Sequence, residues 1–447
     1  AVTPDDPKIL AKRAKALMAS GHEDEANSMW THLARREKLL EVLEVLFKME
    51  PANTTVLKKL ASMYLDRGEL SKSLEMFSRL DALGVRTPEV LAGQALVCER
   101  LGRLAQALVL YEQLLAGADA TGMFRLRCVQ LAGELGLLRK TQSHLARLQE
   151  KFPELYASPQ TQLLVAQALV QTASYAAARE YYSAILGKYQ GDGELVRAAL
   201  LGLAEAYRQS GLLYEAEQAL RQAYLRFPQD EVILGRLFAL ALQEKRFAAA
   251  WAWLGQLDAA GKRQEAKESI DNRLLRARLV AAEGETGSAL KLLGQLTSEL
   301  PSKAGSGGLS SLVLLRRDID LLRVRLLFAE GRYAEAEQLA VTLSGQRGKP
   351  EADLLLLRVY RAQGKSREEQ VLFQRMQGEF AQDQGLVLDL LKGLQEEGLV
   401  AELCARGELA SREYPDSVAI RSLVASGREV NGEIGVAIAL WRGIVLD

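Results

Sequence analysis

Five cations in the C-terminal half of this chain have the residue types and spacing that best suit a binding task. Four of them follow one another at intervals of 47, 33 and 34 residues, and the fifth lies three residues after one of the four. Guanidinium groups bind carboxylates through forked hydrogen bonds, so this pattern predicts a basic stripe that binds an anionic ligand. The stripe consists of Arg278, Arg325, Arg358, Arg361 and Lys392.

The overall charge makes such a stripe conspicuous. Among 447 residues, 57 Lys and Arg balance 57 Asp and Glu, which gives a net charge of zero. A balanced chain argues against a nucleic-acid binder or an anionic-membrane binder, because both usually carry a basic excess. The alternative is that the stripe is neutralised by neighbouring acids such as Asp353, Asp389 or Glu396.

Sequence patterns typical of enzymes are missing. His22, His32 and His144 form neither HxxxH nor HExxH, and we interpret them as surface or cap residues. The glycines of AGSGG at 304–308 lack the Lys-Ser/Thr of a phosphate-binding loop, so a linker is favoured. We therefore expect a non-enzymatic protein that binds neither metal nor cofactor.

Acid pairs and cysteines also favour structural roles. The adjacent acids Glu368–Glu369 and Glu396–Glu397 are expected to lie on solvated helix faces. The cysteines Cys98, Cys128 and Cys404 are far apart and form no CxxC, which argues against a disulfide framework or a zinc site. Cys98 occupies a position that a tyrosine holds one repeat earlier, so we expect it in the core.

The ends of the chain and its apolar runs bear on membrane insertion. The apolar runs are too short and too often charged for a transmembrane helix, so no membrane insertion of this segment is expected. The start, AVTPDDPKIL, has no initiator Met and no signal peptide, and AIALWRGIVLD stops within a helical pattern. We expect a segment cut from a longer protein.

The elements that would carry the cations recur every 34 residues. Gly68, Gly102 and Gly136 lie at this spacing, each between two apolar-periodic segments. A period of this size, filled by two helices and two turns, indicates a stacked helical repeat. Later turns are predicted at Ala173, Gly211, Lys245, Gly284, Gly331, Gly364, Gly398 and Gly432.

Each repeat carries small and large residues at fixed distances from its turn. In the unit of Gly68, Ala61 precedes the turn by seven residues, Ser73 follows it by five, and Phe77 lies four residues later. Small residues let two helices approach closely, and large ones fill the layer between them. Trp441 occupies the same position as Phe77, so we expect it to fill the core.

The segment 204–228, AEAYRQSGLLYEAEQALRQAYLRFP, resembles the tetratricopeptide repeat (TPR) in its order of small residue, Tyr, Gly, Ala, Leu and Pro. The resemblance extends over nearly the whole chain, with about eleven regular repeats. It implies an all-α fold, an α-solenoid in which stacked helix-turn-helix repeats wind into a right-handed superhelix. In such arrays the first helices line a concave surface that usually receives the partner, and the basic stripe falls on them.

The repeat pattern divides the chain into four segments. Irregular helices or an atypical first repeat are expected at 1–52, and a regular array at 53–301. The segment 302–311, SKAGSGGLSS, is flexible by composition. A second array follows at 312–447, truncated at its end.

A stack of this kind is expected to be a scaffold for protein–protein interaction. The Ala-, Leu- and Gln-rich repeats are also similar in style to the periplasmic TPR region of bacterial exopolysaccharide export porins of the Pel, cellulose and poly-N-acetylglucosamine types. That resemblance implies a periplasmic scaffold next to an outer-membrane barrel in a biofilm system. Its partner would be a periplasmic hydrolase or deacetylase, or an anionic ligand in the C-terminal groove. The alternative is a cytoplasmic TPR adaptor or regulator in signalling or assembly.

Overall fold

The structure is a computed structural model. It describes residues 10, 15–17, 39–115, 117, 121–261, 270–300, 310–344, 350–380, 384–415 and 417–446. These residues form α-helices joined by turns, without β-strands, so the predicted all-α solenoid is confirmed. The chain divides into two compact units, Ala1–Leu131 and Ala132–Asp447. The boundary falls within the segment 53–301.

The first unit contains five helices and the start of a sixth within its described residues. They are α1 Leu39–Met49, α2 Thr54–Asp66, α3 Leu70–Ala82, α4 Pro88–Arg100, α5 Leu104–Leu114 and α6 Met123–Glu134. Helix α1 lies in the segment 1–52, whose positions His22 and His32 are outside the described residues.

The second unit continues the same alternation of helices. Its helices are α7 Leu138–Lys151, α8 Pro153–Ala157, α9 Pro159–Gln171, α10 Tyr175–Lys188, α11 Gly193–Gln209, α12 Leu213–Arg226, α13 Glu231–Gln243, α14 Phe247–Gly261, α15 Ile270–Ala282, α16 Thr286–Glu299, α17 Ser310–Ala329, α18 Tyr333–Leu343, α19 Glu351–Ala362, α20 Ser366–Phe380, α21 Gln384–Glu396, α22 Val400–Glu413, α23 Val418–Val430 and α24 Ile434–Leu446. Most of the predicted loop 302–311 lies outside the described residues, but its last two residues begin α17.

The turn between the two helices of a repeat has the same geometry throughout. At Gly68 the backbone is left-handed, with φ +75°, and the amide of Glu69 donates to the carbonyl of Tyr64 at 2.8 Å. This is the Schellman arrangement that ends a helix, and glycine adopts it without strain. The non-glycine turns predicted at Ala173 and Lys245 adopt the same conformation, with φ 59° and 57°.

In two repeats the large residue of the second helix packs against the first helix of the next repeat. A Cβ added at Gly93 would lie 2.4 Å from the ring of Phe77, and one at Gly202 would lie 2.3 Å from the ring of Tyr182. Both rings are buried. The close approach that small residues were expected to allow is therefore present, and Cys98 is buried as predicted.

Trp441 departs from this rule, since it is 37% exposed rather than buried. Tyr182 occupies the same position in its repeat and is covered by α11 of the following repeat. Among the described residues no helix covers the corresponding face of α24, whose Ile434 and Ile438 are also exposed.

In the described part of the chain, no helix is both long enough and apolar enough to cross a bilayer.

Candidate functional site

The five predicted cations lie on the first helices of successive repeats of the second unit. Arg278 is on α15, Arg325 on α17, Arg358 and Arg361 on α19, and Lys392 on α21. Four of them directly follow a fully buried residue, which places them on the side of the helix that faces away from the core. Those buried residues are Ala277, Val324, Leu357 and Leu391.

Arg325 and Arg358 meet at one carboxylate, that of Glu397. Arg325 donates to Glu397 Oε1 from Nε at 3.2 Å and from Nη2 at 2.8 Å, and Arg358 Nη1 donates to Oε2 at 2.5 Å. The side chain of Glu397 is 6% exposed, whereas those of the arginines are 45% and 34% exposed. Two guanidinium groups thus share one buried carboxylate, and the cluster keeps one positive charge.

An aromatic ring also orients the cluster. The guanidinium carbon of Arg358 lies 4.6 Å from the centroid of the Phe328 ring, in the geometry of a cation–π contact. Phe328 in turn lies 5.3 Å from Tyr333, ring centroid to ring centroid. Arg358 is therefore held on one side by a carboxylate and on another by a ring, which restricts its rotamers.

The expectation that Glu396 and Glu397 are both solvated is wrong for Glu397. Glu396 is the last residue of α21 and is exposed, whereas Glu397, between the end of α21 and the turn at Gly398, is buried. Its pairs with the arginines join residues 72 and 39 positions apart, which a pattern confined to one repeat does not show. Asp353, one of the three acids expected to neutralise the stripe, accepts from Arg375 at 2.8 Å instead.

Arg361 lies in a different electrostatic setting. It donates to Glu369 from Nε at 2.8 Å and from Nη2 at 2.6 Å, and it also pairs with Glu402. Burial lowers the pKa of Arg361, but the hydrogen bonds with Glu369 and Glu402 outweigh it, and the net shift is upward. One guanidinium meets two carboxylates here, so this position adds no positive charge to the stripe.

The remaining two cations stand apart from the cluster. Arg278 and Lys392 are exposed, and neither forms an ion pair with another described residue. Near Lys392, Gln395 Nε2 donates to Ser426 Oγ at 2.9 Å, which links α21 to α23 across the same face. The structure therefore brings Arg325 and Arg358 together and leaves Arg278, Arg361 and Lys392 separate.

The same face carries a pocket farther toward the N-terminus of the second unit, and Glu205, Arg208 and Arg236 are its charged lining residues. The pocket has a volume of about 170 Å³ and lies between α11 and α13, where Ala239 and Leu240 form part of its apolar lining. Glu205 lines it and accepts from Arg208 at 2.6 Å. The hydrogen bond from Arg208 lowers the pKa of Glu205 despite its partial burial. Arg236 lies 3.8 Å from the same carboxylate, so two arginines share one acid here as they do at Glu397.

Within the described ranges, no cluster of three or more His, Cys, Asp and Glu side chains is arranged to hold a metal ion. The three cysteines are buried, and none of them forms a disulfide. Burial raises the pKa of the Cys404 thiol, which keeps it protonated.

The chain is similar to several solved structures, whereas no family model and no curated protein matches it. A tetratricopeptide repeat protein from Parabacteroides merdae has a TM-score of 0.41 and 18% identity, over 60% of this chain and 98% of that one. The pentatricopeptide repeat protein PPR10 from maize has a TM-score of 0.39 and 16% identity, over 97% of this chain and 73% of that one. Yeast Tom70 has a TM-score of 0.34 and 12% identity, over 97% and 99%.

These low identities and TM-scores describe a likeness, and the repeat type is established by the residues and helices themselves. Turns with a left-handed residue recur at intervals of 33 to 47 residues, most often 34, as between Gly68 and Gly102. A large residue of a second helix packs on the next first helix where Phe77 meets Gly93 and where Tyr182 meets Gly202. The chain is therefore a solenoid of tetratricopeptide-type repeats.

Proposed function

We propose that this chain is a non-enzymatic scaffold that binds a protein partner along the exposed face of the first helices of the second unit. The observation that carries the proposal is the pair Arg325 and Arg358, held by the buried carboxylate of Glu397. A guanidinium has five N–H donors, and Glu397 uses only three of the ten in this pair. The remaining donors are available to a carboxylate of the partner.

The geometry favours binding because the arginines are ordered before a partner arrives. A free arginine side chain loses conformational entropy when it is immobilised at an interface. Glu397 and Phe328 already restrict Arg358, so less of this entropy remains to be lost. The cluster also keeps a net positive charge, which attracts an acidic segment.

The test is binding of a fluorescein-labelled hexaglutamate peptide, measured by fluorescence anisotropy. Charged hydrogen bonds contribute about 1.5–3 kcal/mol, so Arg358→Ala should weaken binding by roughly tenfold or more. The matched control is Arg332→Ala, which removes an exposed arginine paired with Glu330 and Glu335 outside the stripe. Equal weakening by both variants would show that the peptide responds to net charge alone and would refute the proposed site.

We further propose that the scaffold works in the bacterial envelope, as the periplasmic part of an exopolysaccharide export assembly that recruits a polymer hydrolase or deacetylase. The support is the Ala-, Leu- and Gln-rich composition of the repeats, as in EAEQALRQAYLRFPQD at 215–230. The test is affinity capture from the native cell after separation of periplasm and cytosol. A periplasmic polymer-modifying enzyme is the expected partner, and recovery of cytosolic partners alone would support an adaptor in signalling or assembly.

A further inference from the structure

One turn of the second unit is buried, unlike the other turns of its type. A Cβ added at Gly136 would lie 2.5 Å from the Cβ of Ala419. At nine other turn glycines, an added Cβ would meet nothing within 4 Å, and all nine are exposed. They are Gly68, Gly84, Gly102, Gly211, Gly284, Gly331, Gly364, Gly398 and Gly432.

Hydrogen bonds join this turn to two helices far along the chain. The carbonyl of Leu135 accepts from Gln384 Nε2 at 3.0 Å and from Ser417 Oγ at 3.4 Å. The carbonyl of Gly136 accepts from the amide of Val418 at 3.1 Å. Gln384 is the first residue of α21, and Val418 is the first residue of α23, whose first amides have no partner within their own helix.

The local sequence is consistent with a covered turn. The residues on either side of Gly136 are leucines, and Leu135 and Leu137 are 0% and 8% exposed. The turn at Gly68 has Arg67 and Glu69 in the same places. Two leucines in an exposed turn would leave apolar surface in water, and both are buried here.

This contact is separable from the rest of the fold. In a solenoid each repeat is stabilised by its own helices and by its sequence neighbours. The contact joins residues 249 and 282 positions apart, so its loss leaves the interfaces between neighbouring repeats in place. A contact of this kind can open while the helices remain folded.

One of the two helices that hold the turn, α21, carries Lys392 of the basic stripe. Helix α21 begins at Gln384, bonded to the turn, and ends next to Glu397, bonded to the arginines. Its 13 residues span about 20 Å. Helix α23 begins at Val418 and carries Ser426, which accepts from Gln395 of α21. A displacement at the turn is therefore transmitted to Glu397 by a rigid helix.

We infer that Leu135–Leu137 is a latch that holds α21 and α23 in the geometry in which Glu397 orients Arg325 and Arg358. The effect of this latch on partner binding rests on the proposed function. With the latch closed, the arginine pair is ordered and receives an acidic segment of the partner. With the latch open, α21 moves and the pair loses its common carboxylate. Because linkage is reciprocal, the bound partner also stabilises the closed latch.

The test compares Gly136→Ala with Gly211→Ala. Both place alanine at a left-handed position, with φ +67° and +78°, but only the first meets Ala419. Hydrogen exchange is followed in peptides that cover residues 384–388 and 417–420. We expect Gly136→Ala to accelerate exchange there by about tenfold, and Gly211→Ala to affect its own turn alone. Gln384→Ala, which removes a single donor, is a milder second variant with an effect in the same direction.

Binding of the labelled hexaglutamate peptide is then measured on the same variants. Gly136→Ala and Gln384→Ala should weaken binding by roughly fivefold or more, and Gly211→Ala should not change it. Unchanged exchange at 417–420 in Gly136→Ala would overturn the latch, and faster exchange with unchanged affinity would overturn its coupling to the arginines. A wild-type protein that binds no peptide would refute the proposed function alone, because the exchange comparison still decides the latch.

Discussion

Lys245 lies in a turn that other repeats build with glycine, and replacing it by glycine should stabilise the array. Its backbone has φ 57°, and the amide of the next residue, Arg246, donates to the carbonyl of Ala241 at 2.8 Å. Gly211, one repeat earlier, has the same arrangement with φ 78°. The turn geometry therefore does not depend on the lysine side chain.

The expected gain follows from the backbone. A non-glycine residue in the left-handed region costs about 1–2 kcal/mol, which Lys245→Gly removes. Glycine is more flexible in the unfolded chain, and that flexibility offsets about 0.4–1 kcal/mol of the gain. The net effect is a stabilisation of about 1 kcal/mol, equivalent to roughly fivefold slower exchange of amides that open with this turn.

The measurement is hydrogen exchange in peptides that cover α13 and α14. A single unfolding midpoint is unsuitable, because long repeat arrays do not unfold in one step. Lys245→Ala is the matched control, since it removes the side chain but keeps the strained conformation. If Lys245→Gly exchanged no more slowly than Lys245→Ala, the strain assigned to this turn would not exist.

Three further predictions concern packing, charge and reactivity. Gly202→Ala should destabilise its repeat by about 1–3 kcal/mol because its Cβ would lie 2.3 Å from the buried ring of Tyr182, and adding Tyr182→Leu should recover part of the loss, measured by hydrogen exchange in peptides that cover α10 and α11. Glu205 has a pKa below its ordinary value of 4.5, so it stabilises the fold above that pH and ceases to do so as the pH falls through its folded value. Glu205→Gln should therefore be less stable than wild type at pH 7, and the gap should close in acid; a constant gap would contradict the assignment. Cys404 should resist maleimide labelling in the native state and react after denaturation, since burial raises the pKa of its thiol.

The repeats could be predicted from sequence because each is encoded locally. The register placed left-handed turns at Ala173 and Lys245 although neither is glycine, and both have positive φ. A turn and its flanking helices lie within one period, so the residues that determine them recur at fixed distances.

The long-range features could not be predicted in this way. The pattern identified Arg325 and Arg358 as candidates but assigned Glu397 to solvent, because its partners lie one and two repeats away. The contact of Gly136 with Ala419 crosses most of the second unit. The sequence signal for this covered turn was local: Leu135 and Leu137 flank Gly136, whereas charged residues flank Gly68.

The packing of Tyr182 on Gly202 also determines where this array can be cut and rejoined. The ring belongs to the second helix of one repeat, and the glycine belongs to the first helix of the next. The complementary pair therefore straddles the boundary of the helix-turn-helix unit. A chimaera that exchanges residues 175–209, from α10 to the end of α11, transfers ring and glycine together, whereas an exchange that ends after α10 separates them. A module made of a second helix and the first helix that follows it therefore keeps this ring and this glycine together.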